Sequence, residues 1–95
     1  MEYLFDHRPN KEIETQRRIK VSLWAYSYEY LNHSIVSDQK FDEECEKINL
    51  EITTNRPDLD VWFKNNFQKH TGQWVRNHPE KQKLEFIIKH YCQQQ

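Results

Sequence analysis

The chain has 95 residues, of which 31% are charged and 36% hydrophobic, with a formal net charge of −1. This length predicts a single domain over residues 1–95 with one modest core. A near-neutral charge is atypical of dedicated nucleic-acid-binding proteins, which are normally basic, and no apolar run approaches the roughly 18 residues that a membrane-spanning helix needs. Three Trp, five Tyr and five Phe supply large apolar surfaces, so a folded domain is expected rather than a disordered chain.

The opening stretch MEYLFDHRPN is charged and lacks the apolar core of a secretory signal. A cytoplasmic location is therefore expected, with Cys45 and Cys92 as free thiols.

One glycine and three prolines indicate an all-α chain with few tight turns, and we predict a small bundle of about four helices. The first spans residues 12–32. One apolar strip of this helix runs through Trp24 and Tyr28, and a second runs through Ile19, Tyr26 and Tyr30. Two apolar faces predict a central helix that is packed on two sides, and residues 32–34 are expected to end it.

The second helix is predicted over residues 37–53. Ser37 has the side chain of a helix N-cap, and Asp38 stands in the first turn, where the helix dipole favours a negative charge. The spacing of its apolar residues places them on one face: Phe41, Cys45, Ile48 and Ile52.

The remaining helices are predicted over residues 57–69 and 79–92. Pro57 is suited to the first position of a helix, and Gly72 is expected to be the left-handed residue that terminates the third helix. The stretch HPE at residues 78–80 begins the fourth helix, whose apolar face includes Leu84 and Ile88.

Motifs for metal binding and covalent catalysis are absent from the sequence. His70 and His78 are eight residues apart, too far for the paired ligands of a structural zinc site, so no metal is expected. The sequence contains neither a nucleophile elbow nor a phosphate-cradling loop. A self-sufficient enzyme is not expected.

Residues 26–29 (YSYE) and 36–42 (VSDQKFD) follow the spacing of the pattern Y-x-Y-[YH]-x-x-D-x-P-x-I-S-D-x-E-Y-D. This pattern is typical of the N-terminal helical Ia domain of bacterial NAD-dependent DNA ligases, which residues 16–52 resemble. Residues 55–95 supply additional C-terminal helices, and the segment FQKHTGQWVRNHPE has no counterpart that we can place in the ligase domain.

In those ligases the Ia domain contacts the nicotinamide mononucleotide half of NAD. The resemblance implies that Tyr28, Asp38 and Asp42, which retain the family's residue types, are candidate cofactor-binding residues for NAD or nicotinamide mononucleotide. Glu29 and Phe41 depart from the pattern, and Glu29 places a carboxylate where a nucleotide phosphate would be expected. The sequence lacks the K-x-D-G motif of the adenylated lysine, so self-adenylation is not expected.

The resemblance extends to small ligase-related proteins of phages and prophages. Our leading interpretation is therefore a non-catalytic accessory protein in the cytoplasm of a bacterial host. It would bind no cofactor and would bind and inhibit a host protein, a defence complex or a DNA-metabolism enzyme. Its anchors would be exposed aromatic side chains, which large interfaces favour: Trp24, Tyr26, Tyr30, Trp62 and Trp74.

Two alternatives stand beside it. The first is a binding module for NAD or nicotinamide mononucleotide built on Tyr28, Asp38 and Asp42. The second is weak, salt-sensitive nucleic-acid binding through a few lysines and arginines. The candidates for these phosphate contacts are Arg17, Arg18 and Lys20 on the first helix, or Lys81, Lys83 and Lys89 on the last.

Overall fold

The computed structural model describes residues 10–92, and the side chains of residues 10–90. The predictions made for the first nine residues and for the thiol of Cys92 lie outside these ranges. The described residues form four α-helices, a 3-10 helix and a π-helix, with no strand among them. In chain order these are α1 (Asn10–Leu31), α2 (Asp38–Lys47), α3 (Pro57–Asn66), the 3-10 helix (Gln73–Asn77), α4 (Lys81–Ile87) and the π-helix (Ile88–Cys92). The predicted small all-α bundle is confirmed.

α1 lies at the centre of the fold and packs against α2, α4 and the 3-10 helix, as its two apolar faces predict. Buried apolar side chains from every one of these elements form one core. They are Val21, Ala25, Tyr26, Cys45, Ile48, Phe63, Trp74, Val75, Leu84 and Ile88. Within the described part of the chain, no helix is both long enough and apolar enough to cross a membrane.

The end of α1 and the start of α2 form a short connection. Asn32 has a positive φ of 54° and ends α1. The hydroxyl of Ser27 donates to the carbonyl of His33 over 2.7 Å, and the amide of His33 donates to the carbonyl of Ser27 over 3.1 Å. Ser37 then caps α2, because its hydroxyl accepts a hydrogen bond from the amide of Lys40 at 3.1 Å. The predicted cap is confirmed.

α2 ends at Lys47, six residues before the predicted end at residue 53. The backbone after it is held by α1 instead of continuing the helix. The amide of Asn49 donates to the buried carboxylate of Glu14, and the guanidinium of Arg18 donates to the carbonyls of Asn49 and Ile52. These contacts with buried charges outweigh the helical periodicity that extended the prediction to Ile52.

The termination signal assigned to Gly72 is wrong. α3 ends at Asn66 rather than residue 69, and Gly72 has a φ of −107° in the ordinary region. The residue with left-handed backbone is His70, at φ 71°. Gly72 is required for close packing, because a Cβ added there would lie 3.0 Å from the Cβ of Ala25 on α1.

The last predicted helix, residues 79–92, is divided. α4 begins at Lys81, and the chain passes into a π-helix at Ile88. The 3-10 helix Gln73–Asn77 was not predicted at all, because five residues with two buried side chains give too short a pattern for a periodicity to be recognised.

Candidate functional site

A cavity of about 310 Å³ lies between the second half of α1, the first turns of α2 and residues 70–73. This volume is at the lower end of the range typical of small-molecule pockets. Its lining comes from four stretches of chain. They are Trp24, Ala25, Tyr28 and Glu29 of α1; Ser34, Ile35 and Val36 of the connection; Asp38, Phe41 and Asp42 of α2; and His70, Thr71, Gly72 and Gln73.

The α1 wall presents aromatic rings. Trp24 and Tyr28 are four residues apart, so they stand one above the other on the same side of the helix. Trp24 is partly buried, whereas Tyr28 is 60% exposed at the rim of the cavity. The ammonium of Lys20 lies 5.8 Å from the centre of the Trp24 ring.

The α2 wall presents carboxylates. Asp38 and Asp42 are also four residues apart, and Ser37 fixes the start of the helix that carries them. Asp38 is exposed and Asp42 is partly buried. Phe41 lies between them and contributes its ring to the floor near Gly72. Two acidic groups on one wall make the cavity attractive to a positively charged ligand.

The third wall, residues 70–73, was missed by sequence reasoning. It comes from the segment that has no counterpart in the ligase pattern. Gly72 allows this segment to approach α1 at Ala25, and the imidazole of His70 lies 3.3 Å from the carboxylate of Glu46 on α2. The only sequence signal for this close approach is the isolated Gly72, which the sequence analysis interprets as the residue that terminates the third helix.

Glu29 is paired with an arginine. The Nε of Arg76 donates to Glu29 Oε1 over 3.0 Å, and Nη2 of the same guanidinium lies 2.8 Å from that oxygen. The ligase resemblance implies that Glu29 places a carboxylate where a nucleotide phosphate would be expected. In the structure a guanidinium neutralises it, so the electrostatic objection to an anionic ligand is reduced.

Two of the five predicted interaction aromatics are buried. Tyr26 is 7% exposed and Trp74 is 5% exposed, so their assignment as docking anchors is wrong. The Tyr26 hydroxyl donates to Glu85 at 2.9 Å, and burial together with this bond raises the pKa of Tyr26 to about 12. Trp74 packs against Phe63 of α3 and against Phe67, the residue that follows this helix.

The other three aromatics differ in exposure. Trp62 is partly buried against Trp74 and His78, and its indole N–H donates to the carbonyl of Asn77. Trp24 lines the cavity, and Tyr30, at 45% exposed, stacks against Tyr26. The five rings therefore do not form one exposed surface.

The three α1 residues predicted to contact phosphate, Arg17, Arg18 and Lys20, form ion pairs with carboxylates of the protein itself. Arg18 is 4% exposed and its assignment to a nucleic-acid surface is wrong, because its guanidinium binds the carboxylates of Glu14 and Asp60. Arg17 and Lys20 lie within 4 Å of Glu44. Burial acts to raise the pKa of Glu44, but the hydrogen bond and charge of Lys20, with the nearby lysines, hold it below its ordinary value.

Comparison of the chain with protein family models, with characterised proteins and with solved structures finds no match.

Proposed function

We propose that the chain binds a small molecule carrying a flat cationic ring, without chemistry of its own. A nicotinamide nucleotide is the ligand that the ligase resemblance implies. The observation that supports the proposal is that Tyr28, Asp38 and Asp42, singled out from the sequence pattern, line one cavity.

The chemistry of the lining suits such a ring. The nicotinamide of NAD or nicotinamide mononucleotide is flat and carries a positive charge on its ring nitrogen. Trp24, Tyr28 and Phe41 offer aromatic faces, which attract cations and stack on flat rings. Asp38 and Asp42 add negative potential on the wall of α2, where it favours a cation over a neutral ring. The non-catalytic part of the proposal rests on the missing K-x-D-G motif.

Isothermal titration calorimetry with nicotinamide mononucleotide and with NAD tests the proposal. Asp38→Asn and Asp42→Asn each remove one charge with little change of shape, and each is expected to weaken binding about three- to tenfold. Glu43→Gln is the matched control, because Glu43 is exposed on the same helix and does not line the cavity.

Absence of heat at millimolar concentration of both ligands would reject the proposal. Equal loss of affinity in Glu43→Gln and Asp42→Asn would also count against it, because binding would then follow the overall charge of α2 rather than the cavity.

Docking on a host protein, in the manner of a phage or prophage accessory protein that inhibits a defence or DNA-metabolism complex, is the second candidate. The observation that favours it is the exposure of Ile19 (46%), Tyr30 (45%) and Phe86 (57%) on α1 and α4, two helices that pack together. Ile19 and Tyr30 are eleven residues apart, three helical turns, and so lie on the same face of α1.

Affinity capture from a bacterial lysate distinguishes the two candidates. For docking, a protein enriched by the native chain should be lost with Ile19→Lys or Phe86→Lys and retained with Asp38→Asn. A protein retained by all the variants, or none enriched at all, would argue against this candidate.

A further inference from the structure

A second cavity, of about 220 Å³, lies between α1, α3 and α4, and among the described residues it shares no lining side chain with the first. Its walls are mainly apolar and are formed by Ile19 of α1, Leu59 and Phe63 of α3, and Leu84 and Ile87 of α4. A dry cavity of about 150 Å³ lined by such side chains accommodates benzene, so this one has room for a molecule of about eight to ten non-hydrogen atoms.

The charged side chains that line this cavity have partners of opposite charge within the protein. The guanidinium of Arg18 lies 2.8 Å from one carboxylate of α1 and 2.8 Å from one of α3. Nη2 of Arg56 lies 2.8 Å from Glu80, and Nζ of Lys83 lies 3.7 Å from the same carboxylate. Because these charges are already compensated, the cavity suits a neutral ligand better than an ion.

The imidazole of His78 is a buried polar group of the lining that keeps an unused donor. His78 is 6% exposed, and its Nδ1 accepts from the amide of Glu80 at 3.0 Å, so the neutral ring carries its proton on Nε2. Burial lowers the pKa of His78 to about 4, which keeps the ring neutral at pH 7. No described residue accepts a hydrogen bond from this Nε2–H, whereas the lining hydroxyls of Ser22 and Thr54 donate to acceptors within the protein.

An unused N–H in a mainly apolar wall favours a ligand with a hydrogen-bond acceptor. A pure hydrocarbon would separate this N–H from water without replacing the lost hydrogen bond, whereas a carbonyl oxygen would replace it. We infer that the second cavity is a binding site for a small, neutral, apolar molecule that carries one carbonyl group, such as an aryl ketone, whose oxygen accepts from His78 Nε2–H. This site is independent of the proposed ring binding, because the carboxylates of the first cavity take no part in it.

NMR titrations of the ¹⁵N-labelled chain test the inference, with acetophenone as the ligand that has an acceptor and ethylbenzene as its counterpart without one. Both should give saturable amide shifts in the native chain, with dissociation constants of about 1 mM or tighter. His78→Asn keeps an acceptor for the Glu80 amide and removes the Nε2–H. This variant should bind acetophenone about three- to tenfold more weakly, as expected for the loss of one hydrogen bond, and should bind ethylbenzene within about twofold of the native affinity.

Variants that fill the cavity test its location. Leu59→Trp enlarges a lining side chain and should weaken the binding of both ligands more than about tenfold. Ile19→Trp is a second filling variant that the fold should tolerate, because Ile19 lines the cavity but is 46% exposed. Val61→Trp is the matched control, because Val61 lies on the same helix as Leu59, is 60% exposed and does not line the cavity. Far-ultraviolet circular dichroism of each variant checks that the helices are retained.

Absence of saturable shifts with both ligands at millimolar concentration would overturn the inference and leave the proposed ring binding in the first cavity untouched. Binding that survives both filling variants would overturn the location. A loss of affinity in His78→Asn that is equal for the two ligands would overturn the role of the Nε2–H.

Discussion

The guanidinium of Arg18 on α1 donates to the carboxylate of Asp60 on α3 over 2.8 Å, across 42 residues of sequence. The same guanidinium binds Glu14, which is fully buried, and the carbonyls of Asn49 and Ile52. Thr54 completes the cluster by donating to Asp60 through both its amide and its hydroxyl. One buried cation thus joins α1, the loop that follows α2, and α3.

Replacing Arg18 is expected to destabilise the fold strongly. Arg18→Met removes the closer of the two guanidinium partners of buried Glu14, at 2.8 Å, and leaves only Arg17 at 3.4 Å; breaking such a buried pair costs about 3–5 kcal/mol of unfolding free energy. Urea denaturation measures the loss. Arg17→Met is the control, because Arg17 is partly exposed and its contacts with Glu14 and Glu44 are longer, at 3.4 and 3.8 Å, so its loss should cost less than about 1 kcal/mol. Equal midpoints for the two variants would contradict the role given to Arg18.

Gly72→Ala is expected to destabilise the packing of residues 70–73 on α1. The added methyl group would meet the Cβ of Ala25 at 3.0 Å and its Cα at 3.4 Å, so α1 and this segment must separate, at a cost of about 1–3 kcal/mol. Thermal denaturation measures the effect. In an Ala25→Gly background the cost should be smaller, because the opposing methyl group is gone, whereas an unchanged cost would show that the contact does not matter.

Stability is expected to fall as the pH is lowered from about 6.5 to about 4. Burial lowers the pKa of His78 from 6.5 to about 4, so between these values the unfolded chain binds a proton that the folded chain does not. Unfolding therefore becomes more favourable as the pH decreases, by about 2–3 kcal/mol over this interval. Chemical denaturation at several pH values measures the slope.

His78→Asn is the matched variant for this pH dependence. His78 Nδ1 accepts from the amide of Glu80 at 3.0 Å, and an Asn oxygen can take that bond without titrating in this range. The slope between pH 4.5 and 6.5 should therefore flatten in the variant. A slope as steep as that of the native chain would assign the effect to other groups.

The thiol of Cys45 is expected to be unreactive in the folded protein. It is fully buried, and burial together with Asp42 and the neighbouring glutamates raises its pKa to about 12. In a Cys92→Ser background, where Cys45 is the only thiol, labelling at pH 8 should be more than about a hundredfold slower than in urea-unfolded protein. Comparable rates in the two states would contradict the burial of Cys45.

Helix starts were predictable from the sequence because their signals are local. Ser37 caps α2 from the position directly before the helix, and Pro57 is the first residue of α3. Each residue acts on the helix start next to it in the sequence. Helix ends were less predictable. α2 ends at the point where Arg18, some 30 residues earlier in the chain, donates hydrogen bonds to the backbone carbonyls of Asn49 and Ile52. A periodicity cannot report contacts that arise only after the chain has folded.

The residues of the candidate site also divide into those that the sequence could group and those that only the folded structure brings together. The ligase resemblance groups Tyr28, Asp38 and Asp42, and the structure brings them to one cavity because α1 and α2 are consecutive and joined by a short connection. Residues 70–73 and Arg76 reach α1 residues that lie more than 40 positions earlier in the chain, and no spacing rule in the sequence points to these contacts.

The most direct test of the proposed ring binding compares 1-methylnicotinamide with nicotinamide in calorimetric titrations of the native chain. The two share one ring and one amide and differ in a methyl group and a positive charge. Binding by aromatic faces and the carboxylates of Asp38 and Asp42 predicts that the cation binds at least about fivefold more tightly. Equal affinities, or no binding of the cation at millimolar concentration, would contradict the account.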